Sequence, residues 1–193
     1  MPANDFTTTE YARRLEKTRR AMAAQGLKTL VICDPSNMAW LTGYDGWSFY
    51  VPQAVILHEN GMPMWWGRTQ DKPGAALTTW LEADHLFDWP EEHVQHPDHH
   101  PFDSLVDLLR EYGWTEAIGV EMDNYYYSAR SHEILETAFG RDAFADATGL
   151  VNWQRAVKSE QELQLMQAAG KLSAHMHGVL RAEFNEGIPK NAL

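Results

Sequence analysis

Short apolar runs alternate along the chain with segments whose apolar residues recur every three or four positions. Apolar runs bounded by turn residues are typical of buried strands, whereas the longer period is typical of amphipathic helices. The strand-like runs occupy residues 28–33, 53–66, 85–89 and 116–123. The helix-like segments occupy residues 7–25, 71–83, 102–113 and 128–140. This alternation predicts an α/β fold in which helices flank a sheet of about five or six strands.

Turn and capping residues mark where the predicted elements begin and end. The Asn60-Gly61 pair divides the second apolar run into the two strands of a hairpin, which makes the sheet mixed rather than purely parallel. Thr7 fits the start of the first helix, and Glu10 completes a capping box. Asp34, which precedes a proline, predicts the start of a short helix.

The pattern changes in the last quarter of the chain. Residues 146–158 show no clean period and are predicted to be a linker, so residues 1–145 are assigned to one α/β domain. Ser159 and Glu162 fit a second capping box, which opens a long helix. Because the apolar stripe on this helix needs a surface to cover it, residues 159–193 are expected to be the start of a truncated second domain.

The composition narrows the classes of function. The chain of 193 residues has a net charge of −11, which argues against nucleic acid as a partner because phosphate binding needs a basic surface. Cys33 is the single cysteine, so the sequence excludes an internal disulfide and a cysteine-based zinc site. No apolar run is long enough to span a membrane, and the N-terminal residues lack the apolar core of a signal peptide. We therefore expect a cytoplasmic protein without membrane contact.

Histidines form the first candidate site. Four of them crowd one polar loop: His93, His96, His99 and His100. Clustered histidines can bind a metal ion, but no neighbouring pattern fixes a ligand geometry and the adjacent prolines favour an exposed turn. His175 and His177 lie two residues apart on the last predicted helix, so they point to different faces. We expect no metal site in either place.

Acidic residues and the cysteine form the other candidates. Glu121 and Asp123 follow a strand at alternate positions, so they lie on the same face, close enough for one to raise the pKa of the other. A structural role in hydrogen bonding is favoured over an acid–base pair. Cys33 stands at a strand end without a marked His or acid partner, so it is interpreted as a small buried residue rather than a nucleophile.

The segment NMAWLTGYDGWSFYVPQ, residues 37–53, contains five aromatic residues and follows neither a helical nor a strand period. Exposed rings in such number indicate a contact outside the domain, and aromatic loops also form the walls of small-molecule sites. Trp40 and Tyr44 fit the core and a binding wall equally well. Trp47, Phe49 and Tyr50, which follow Gly46, are predicted to make a surface contact.

The order of these features resembles the N-terminal domain of the creatinase and prolidase superfamily. The resemblance rests on LVICDPSNMAWLTGY at residues 30–44, GVEMD at residues 119–123 and an R-x-x-K-S-x-x-E-L pattern from Arg155 to Leu163. In that superfamily an α/β domain precedes a pita-bread catalytic domain that holds the catalytic residues. The resemblance therefore implies that this chain contains no catalytic residue and is inactive alone.

Within the superfamily, the aromatic segment is most similar to that of the ectoine hydrolases, which open the cyclic amidine of ectoine to acetylated diaminobutyrate. The creatinases are also similar there, and their loop crosses a dimer interface to hold the partner's substrate with a Phe and an Arg. Phe49 matches that Phe, whereas Val51 stands at the Arg position. The resemblance implies a homodimer in which Trp47, Phe49 and Tyr50 contact ectoine bound by the other subunit.

The resemblance also carries expectations about cofactors and leaves alternatives open. Creatinase works without metal, whereas the peptidases of the superfamily bind two metal ions; the metal-free mechanism is favoured here, with no cofactor in this chain. A deacetylase that acts on the acetylated product is an expected downstream partner. The alternatives are the N-terminal domain of a creatinase or an Xaa-Pro metallopeptidase, and a non-catalytic binding module with the same fold.

Overall fold

The computed structural model describes residues 6–192, which contain one six-stranded sheet and seven α-helices. The strands are β1 (Thr29–Ile32), β2 (Ala54–His58), β3 (Met64–Arg68), β4 (Leu86–Trp89), β5 (Ile118–Val120) and β6 (Phe144–Asp146). The helices are α1 (Thr8–Ala24), α2 (Pro35–Thr42), α3 (Lys72–Thr78), α4 (Pro101–Glu111), α5 (Ala129–Phe139), α6 (Leu150–Ala156) and α7 (Glu160–Glu183).

The strands follow the order β4-β3-β2-β1-β5-β6. β1 pairs antiparallel with β2, and β2 pairs antiparallel with β3, so these strands form a meander. The β3–β4, β1–β5 and β5–β6 pairs are parallel. Gly61 turns the chain between β2 and β3 with a φ of 84°. The predicted mixed α/β sheet and its hairpin are therefore confirmed.

Residues of β1 alternate between two cores, one on each face of the sheet. Leu30 and Ile32 pack into the first core with α1, α2, α3 and α6, and Val31 packs into the second with α4 and α5. Trp40 and Tyr44 belong to the first core, so these two rings stabilise the domain rather than wall an exposed site. The two cores hold the sheet on both faces, which makes it a rigid support for the loops at its edges.

The predicted helix starts are confirmed by their hydrogen bonds. The Thr7 side chain accepts a hydrogen bond from Glu10 N at the start of α1, and the Asp34 side chain accepts one from Asn37 N at the start of α2. Ser159 and Glu162 form the reciprocal capping box that opens α7. Each cap satisfies backbone donors that a helix start would otherwise leave unpaired.

Residues 146–158, which the sequence predicts to be a linker, contain secondary structure that this prediction does not include. They contain the end of β6 and the whole of α6, and Leu150 and Val151 of α6 are buried in the first core. α6 has only seven residues, too few to display a helical period in the sequence. Helix α3 likewise ends at Thr78, before the end of the predicted helical segment.

The chain divides into two compact units, one ending at Arg155 and the other beginning at Ala156. The second unit contains α7 and a short 3-10 turn over Lys190–Ala192. Large apolar side chains of α7 are exposed, among them Leu172, Met176 and Val179. The boundaries 1–145 and 159–193 stay predictions.

Candidate functional site

The aromatic loop, residues 43–53, joins α2 to β2 and forms neither helix nor strand. Gly43 starts the loop with a φ of 80°, a left-handed conformation that ends α2. Gly46 lies against the ring of Tyr44, so a Cβ at Gly46 would come within 2.6 Å of the Tyr44 hydroxyl. These two glycines therefore set the path of the loop.

The base of the aromatic loop is fixed by buried side chains. Tyr44 and Val51 lie in the cores below it. Gln53 Nε2 donates a hydrogen bond of 2.9 Å to the Tyr44 hydroxyl, and Trp89 Nε1 donates one of 3.1 Å to Pro52 O. Burial raises the pKa of Tyr44 to about 12, so this phenol stays protonated at neutral pH.

The aromatic tip, which we define as Trp47, Phe49 and Tyr50, is exposed: these side chains are 60%, 64% and 51% accessible. The Phe49 and Tyr50 rings meet edge to face with their centroids 5.3 Å apart, and Trp47 lies 6.1 Å from Phe49. The rings thus support one another while their outer faces stay uncovered. An apolar cluster of this kind on a domain surface indicates a contact site.

A cavity of about 280 Å³ lies beside the tip. Phe49 and Tyr50 line it together with residues of the histidine loop, which we define as residues 93–100, and of the segment that precedes α5. Among these residues are His93, His99 and Tyr126. Trp47 also contacts the edge of the Tyr126 ring, with centroids 6.4 Å apart. The sequence shows these aromatic and histidine residues but not that they meet, because the segments are far apart along the chain.

The histidine loop uses its imidazoles as hydrogen-bond acceptors. His96 Nδ1 accepts from the backbone N of Asp98 and of His99, and His100 Nδ1 accepts from Phe102 N as the N-cap of α4. An acceptor nitrogen must be unprotonated, and burial lowers the pKa of His100 in agreement. Within the described residues, no group of three or more His, Cys, Asp or Glu is arranged to hold a metal ion.

Glu121 and Asp123 do not form a pair. Asp123 is exposed, whereas Glu121 is only 3% exposed and accepts hydrogen bonds from Cys33 N (2.7 Å), Asp34 N (2.8 Å) and Asn37 Nδ2 (2.6 Å). Burial raises the pKa of the Glu121 carboxyl. Glu121 therefore joins the end of β5 to the β1–α2 connection, which is a structural role.

Asn37 extends this network to α6. Its Nδ2 also donates to Asn152 Oδ1 at 2.9 Å, and its Oδ1 accepts from Arg155 Nη1 at 2.7 Å. Asn37 is fully buried, whereas Asn152 is exposed and Arg155 is partly exposed, so the network runs from the interior to the surface. The asparagine thus connects the start of α2, just before the aromatic loop, with the last helix of the first unit.

The remaining candidates have no arrangement for chemistry. Cys33 is buried, and its burial raises the pKa of the thiol, so it is not an activated nucleophile. His177 Nδ1 hydrogen-bonds to Ser173 O within α7, four residues earlier. His175 is exposed on the same helix.

Residues 14–157 match the family model of the Creatinase/Prolidase N-terminal domain. This chain belongs to the creatinase/prolidase N-terminal domain family. The resemblance inferred from the sequence is thereby confirmed.

Relatives of this creatinase/prolidase-type chain include an ectoine hydrolase from Halomonas elongata, 50% identical over 190 residues that are 97% of this chain and 48% of that protein. The uncharacterized hydrolase/peptidase y4tM of Sinorhizobium fredii is 40% identical over 173 residues, 89% of this chain and 44% of that protein. The chain spans about half the length of the relatives it matches.

Among solved structures, an Xaa-Pro dipeptidase from Bacillus anthracis superposes with a TM-score of 0.70. It is 14% identical, and the superposition covers 94% of this chain and 46% of that one. At this identity the likeness confirms the fold of the family and nothing further. Within the described residues, none of the helices has the length and apolar character needed to cross a bilayer.

Proposed function

We propose that this chain is the N-terminal part of an ectoine hydrolase. The observation that carries the proposal is the 50% identity to the Halomonas elongata ectoine hydrolase, which extends over 190 residues and so includes the aromatic loop. Ectoine hydrolysis opens a cyclic amidine, and the groups that perform it lie outside this chain. The contribution of this chain is a lid, formed by the aromatic tip, over a substrate bound elsewhere.

The chemistry of the aromatic tip suits that substrate. Ectoine is a small zwitterion whose amidinium carries a delocalised positive charge, and the faces of Trp, Tyr and Phe rings attract such cations. The exposed faces of Trp47, Phe49 and Tyr50 offer this surface. A closed aromatic wall also excludes water other than the molecule that reacts.

The proposal includes a homodimer in which each tip covers the other subunit's substrate. Two observations support the homodimer. The tip is exposed, and the loop base beneath it is held in place by Tyr44, Val51 and Gln53. An exposed apolar tip on a fixed base is suited to contact a partner surface. The catalytic mechanism proposed is the metal-free one.

The experiment uses the longer protein that continues past Leu193. It is incubated with ectoine, creatine and an Xaa-Pro dipeptide, each with and without EDTA, and products are followed by NMR. Opening of ectoine that survives EDTA is the expected result. Dipeptide cleavage abolished by EDTA would instead show a metallopeptidase, and no turnover of any substrate would favour a non-catalytic binding module.

The role of the tip is tested in the same protein with Phe49→Ala. Its exposed side chain is absent from the cores, so folding is expected to be unchanged while ectoine turnover weakens. Phe139→Ala is the control that makes the same change elsewhere in the domain, because Phe139 lies on α5 against the second core. Its loss is expected to lower stability and to leave the KM for ectoine unchanged. Unchanged KM and kcat in Phe49→Ala would refute the lid.

A further inference from the structure

The tip of the aromatic loop has few tethers to the rest of the domain. In the described part of the chain, residues 44–53 make no hydrogen bond between their backbone and another backbone group. Inside the loop, Ser48 Oγ accepts from Val51 N at 3.3 Å and from Tyr50 N at 3.5 Å. The position of the tip therefore depends on side chains.

One side chain outside the loop reaches the tip with a hydrogen bond. Arg68, the last residue of β3, donates from Nη1 to the Tyr50 hydroxyl at 3.0 Å, and its guanidinium carbon lies 5.8 Å from the centroid of that ring. Because β3 is an interior strand of the sheet, Arg68 starts from a rigid support. Arg68 therefore connects the tip to the sheet.

Arg68 is itself held by two carboxylates. Its Nη2 donates to Asp71 Oδ1 at 3.3 Å, and its Nε lies 3.5 Å from Glu91 Oε1. The side chain is only 14% exposed. The guanidinium is thus oriented and neutralised, so it does not present a free positive charge to an incoming anion.

Asp71 carries the connection back to the base of the loop. Its Oδ2 accepts from Gln53 Nε2 at 2.9 Å, and the same nitrogen donates to the Tyr44 hydroxyl at 2.9 Å. A continuous path of polar contacts therefore runs from Tyr50 through Arg68, Asp71 and Gln53 to Tyr44. It links the tip with Tyr44 and Gln53 at the two ends of the loop base.

We propose that Arg68 is a positioning residue that holds Tyr50, and with it the whole aromatic tip, in place for substrate. The effect on substrate use rests on the proposed function, whereas the effect on the loop does not. Val51, the neighbour of Tyr50 in the loop, is buried and uncharged, whereas the Arg68 guanidinium contacts the Tyr50 hydroxyl.

The first test measures loop order in this chain. Backbone ¹⁵N order parameters of Trp47, Phe49 and Tyr50 are compared between wild type, Arg68→Met and Tyr50→Phe, which removes only the hydroxyl. In both variants the values are expected to fall from the rigid level of about 0.85 towards about 0.6. Arg20→Met, which breaks an exposed i,i+4 pair on α1, is the matched control and leaves the tip unchanged. Unchanged order in both tip variants overturns the proposal.

The second test measures ectoine turnover by the longer protein. Arg68→Met is expected to raise KM about tenfold and to leave kcat within about twofold of wild type. This is the size expected because the variant loses one hydrogen bond made by a charged group. Tyr50→Phe is expected to do the same, and the double variant no more than either, because Arg68 acts through Tyr50. If Arg68 only stabilised the fold, Arg68→Met would lower the free energy of unfolding, and its effect on KM would not depend on whether Tyr50 keeps its hydroxyl.

The two tests separate the inference from the proposed function. If Phe49→Ala impairs turnover while Arg68→Met does not, the lid stands and the positioning role of Arg68 is overturned. If Arg68→Met loosens the tip while Phe49→Ala and Arg68→Met leave turnover unchanged, the positioning role stands and the lid is refuted.

Discussion

Replacing Glu121 by Gln tests whether the buried polar network holds the first unit together. Glu121 Oε2 accepts from two backbone N–H groups, of Cys33 and Asp34, and Oε1 accepts from Asn37 Nδ2. A Gln in the same position can offer its single oxygen to the backbone donors. Its NH₂ group then faces Asn37 Nδ2, so two donors meet.

Asn37 cannot relieve this conflict by turning its amide. Its oxygen already accepts from Arg155 Nη1 at 2.7 Å, and turning the amide would break that bond and the one to Asn152. A buried donor left unpaired costs about 1–3 kcal/mol. The neutral amide avoids part of the burial penalty that raises the Glu121 pKa, so we expect the free energy of unfolding to fall by about 2 kcal/mol.

Urea denaturation followed by tryptophan fluorescence and far-UV circular dichroism measures this change. A loss of about 2 kcal/mol corresponds to a lower Tm by roughly 4–8 °C in a domain of this size. Asp123→Asn is the matched control, since the same acid-to-amide change two residues away falls on an exposed side chain and is expected to leave stability unaltered. A Glu121→Gln variant within about 0.5 kcal/mol of wild type would refute the reasoning.

Three further predictions concern the α4 cap, the loop base and α7. Because burial lowers the pKa of His100, the unfolded chain binds the proton more readily, so stability is expected to rise with pH from the folded pKa up to about 6.5. His100→Asn keeps a capping side chain and removes this rise, and identical pH profiles of unfolding for both proteins would contradict it. Gly46→Ala is expected to cost about 1–3 kcal/mol because its Cβ would meet the Tyr44 hydroxyl at 2.6 Å; unchanged urea stability would contradict that. The exposed apolar side chains of α7 are expected to make the chain self-associate, and Leu172→Lys to weaken this in sedimentation velocity; a monomer with α7 helical at all concentrations would contradict it.

The elements with local signals could be predicted from the sequence. Thr7, Asp34 and Ser159 marked helix starts correctly because a cap depends on residues three positions apart. β6 and α6 had no such signal. β6 is three residues long with two of them exposed, and α6 forms where Leu150 and Val151 reach the core, so both depend on contacts from distant parts of the chain.

The candidate site divides in the same way. The exposure of Trp47, Phe49 and Tyr50 was expected because their segment follows no core period, and the structure places all three at the loop tip. Nothing near the loop indicated Arg68, which is 18 residues from Tyr50 and meets it only because β2 and β3 fold back as a hairpin. The cavity beside the tip likewise depends on three segments that only the fold brings together.

The charges around the tip indicate which end of a zwitterion it would meet under the proposed function. Arg68 is engaged by Asp71 and Glu91 beneath Tyr50, and Val51 is buried in the core, so the tip offers aromatic faces and no free guanidinium within the described residues. Aromatic faces attract a delocalised cation, but they do not balance the negative charge of an anion. The amidinium of ectoine would therefore face the tip, and its carboxylate would face the half of the protein that holds the catalytic groups.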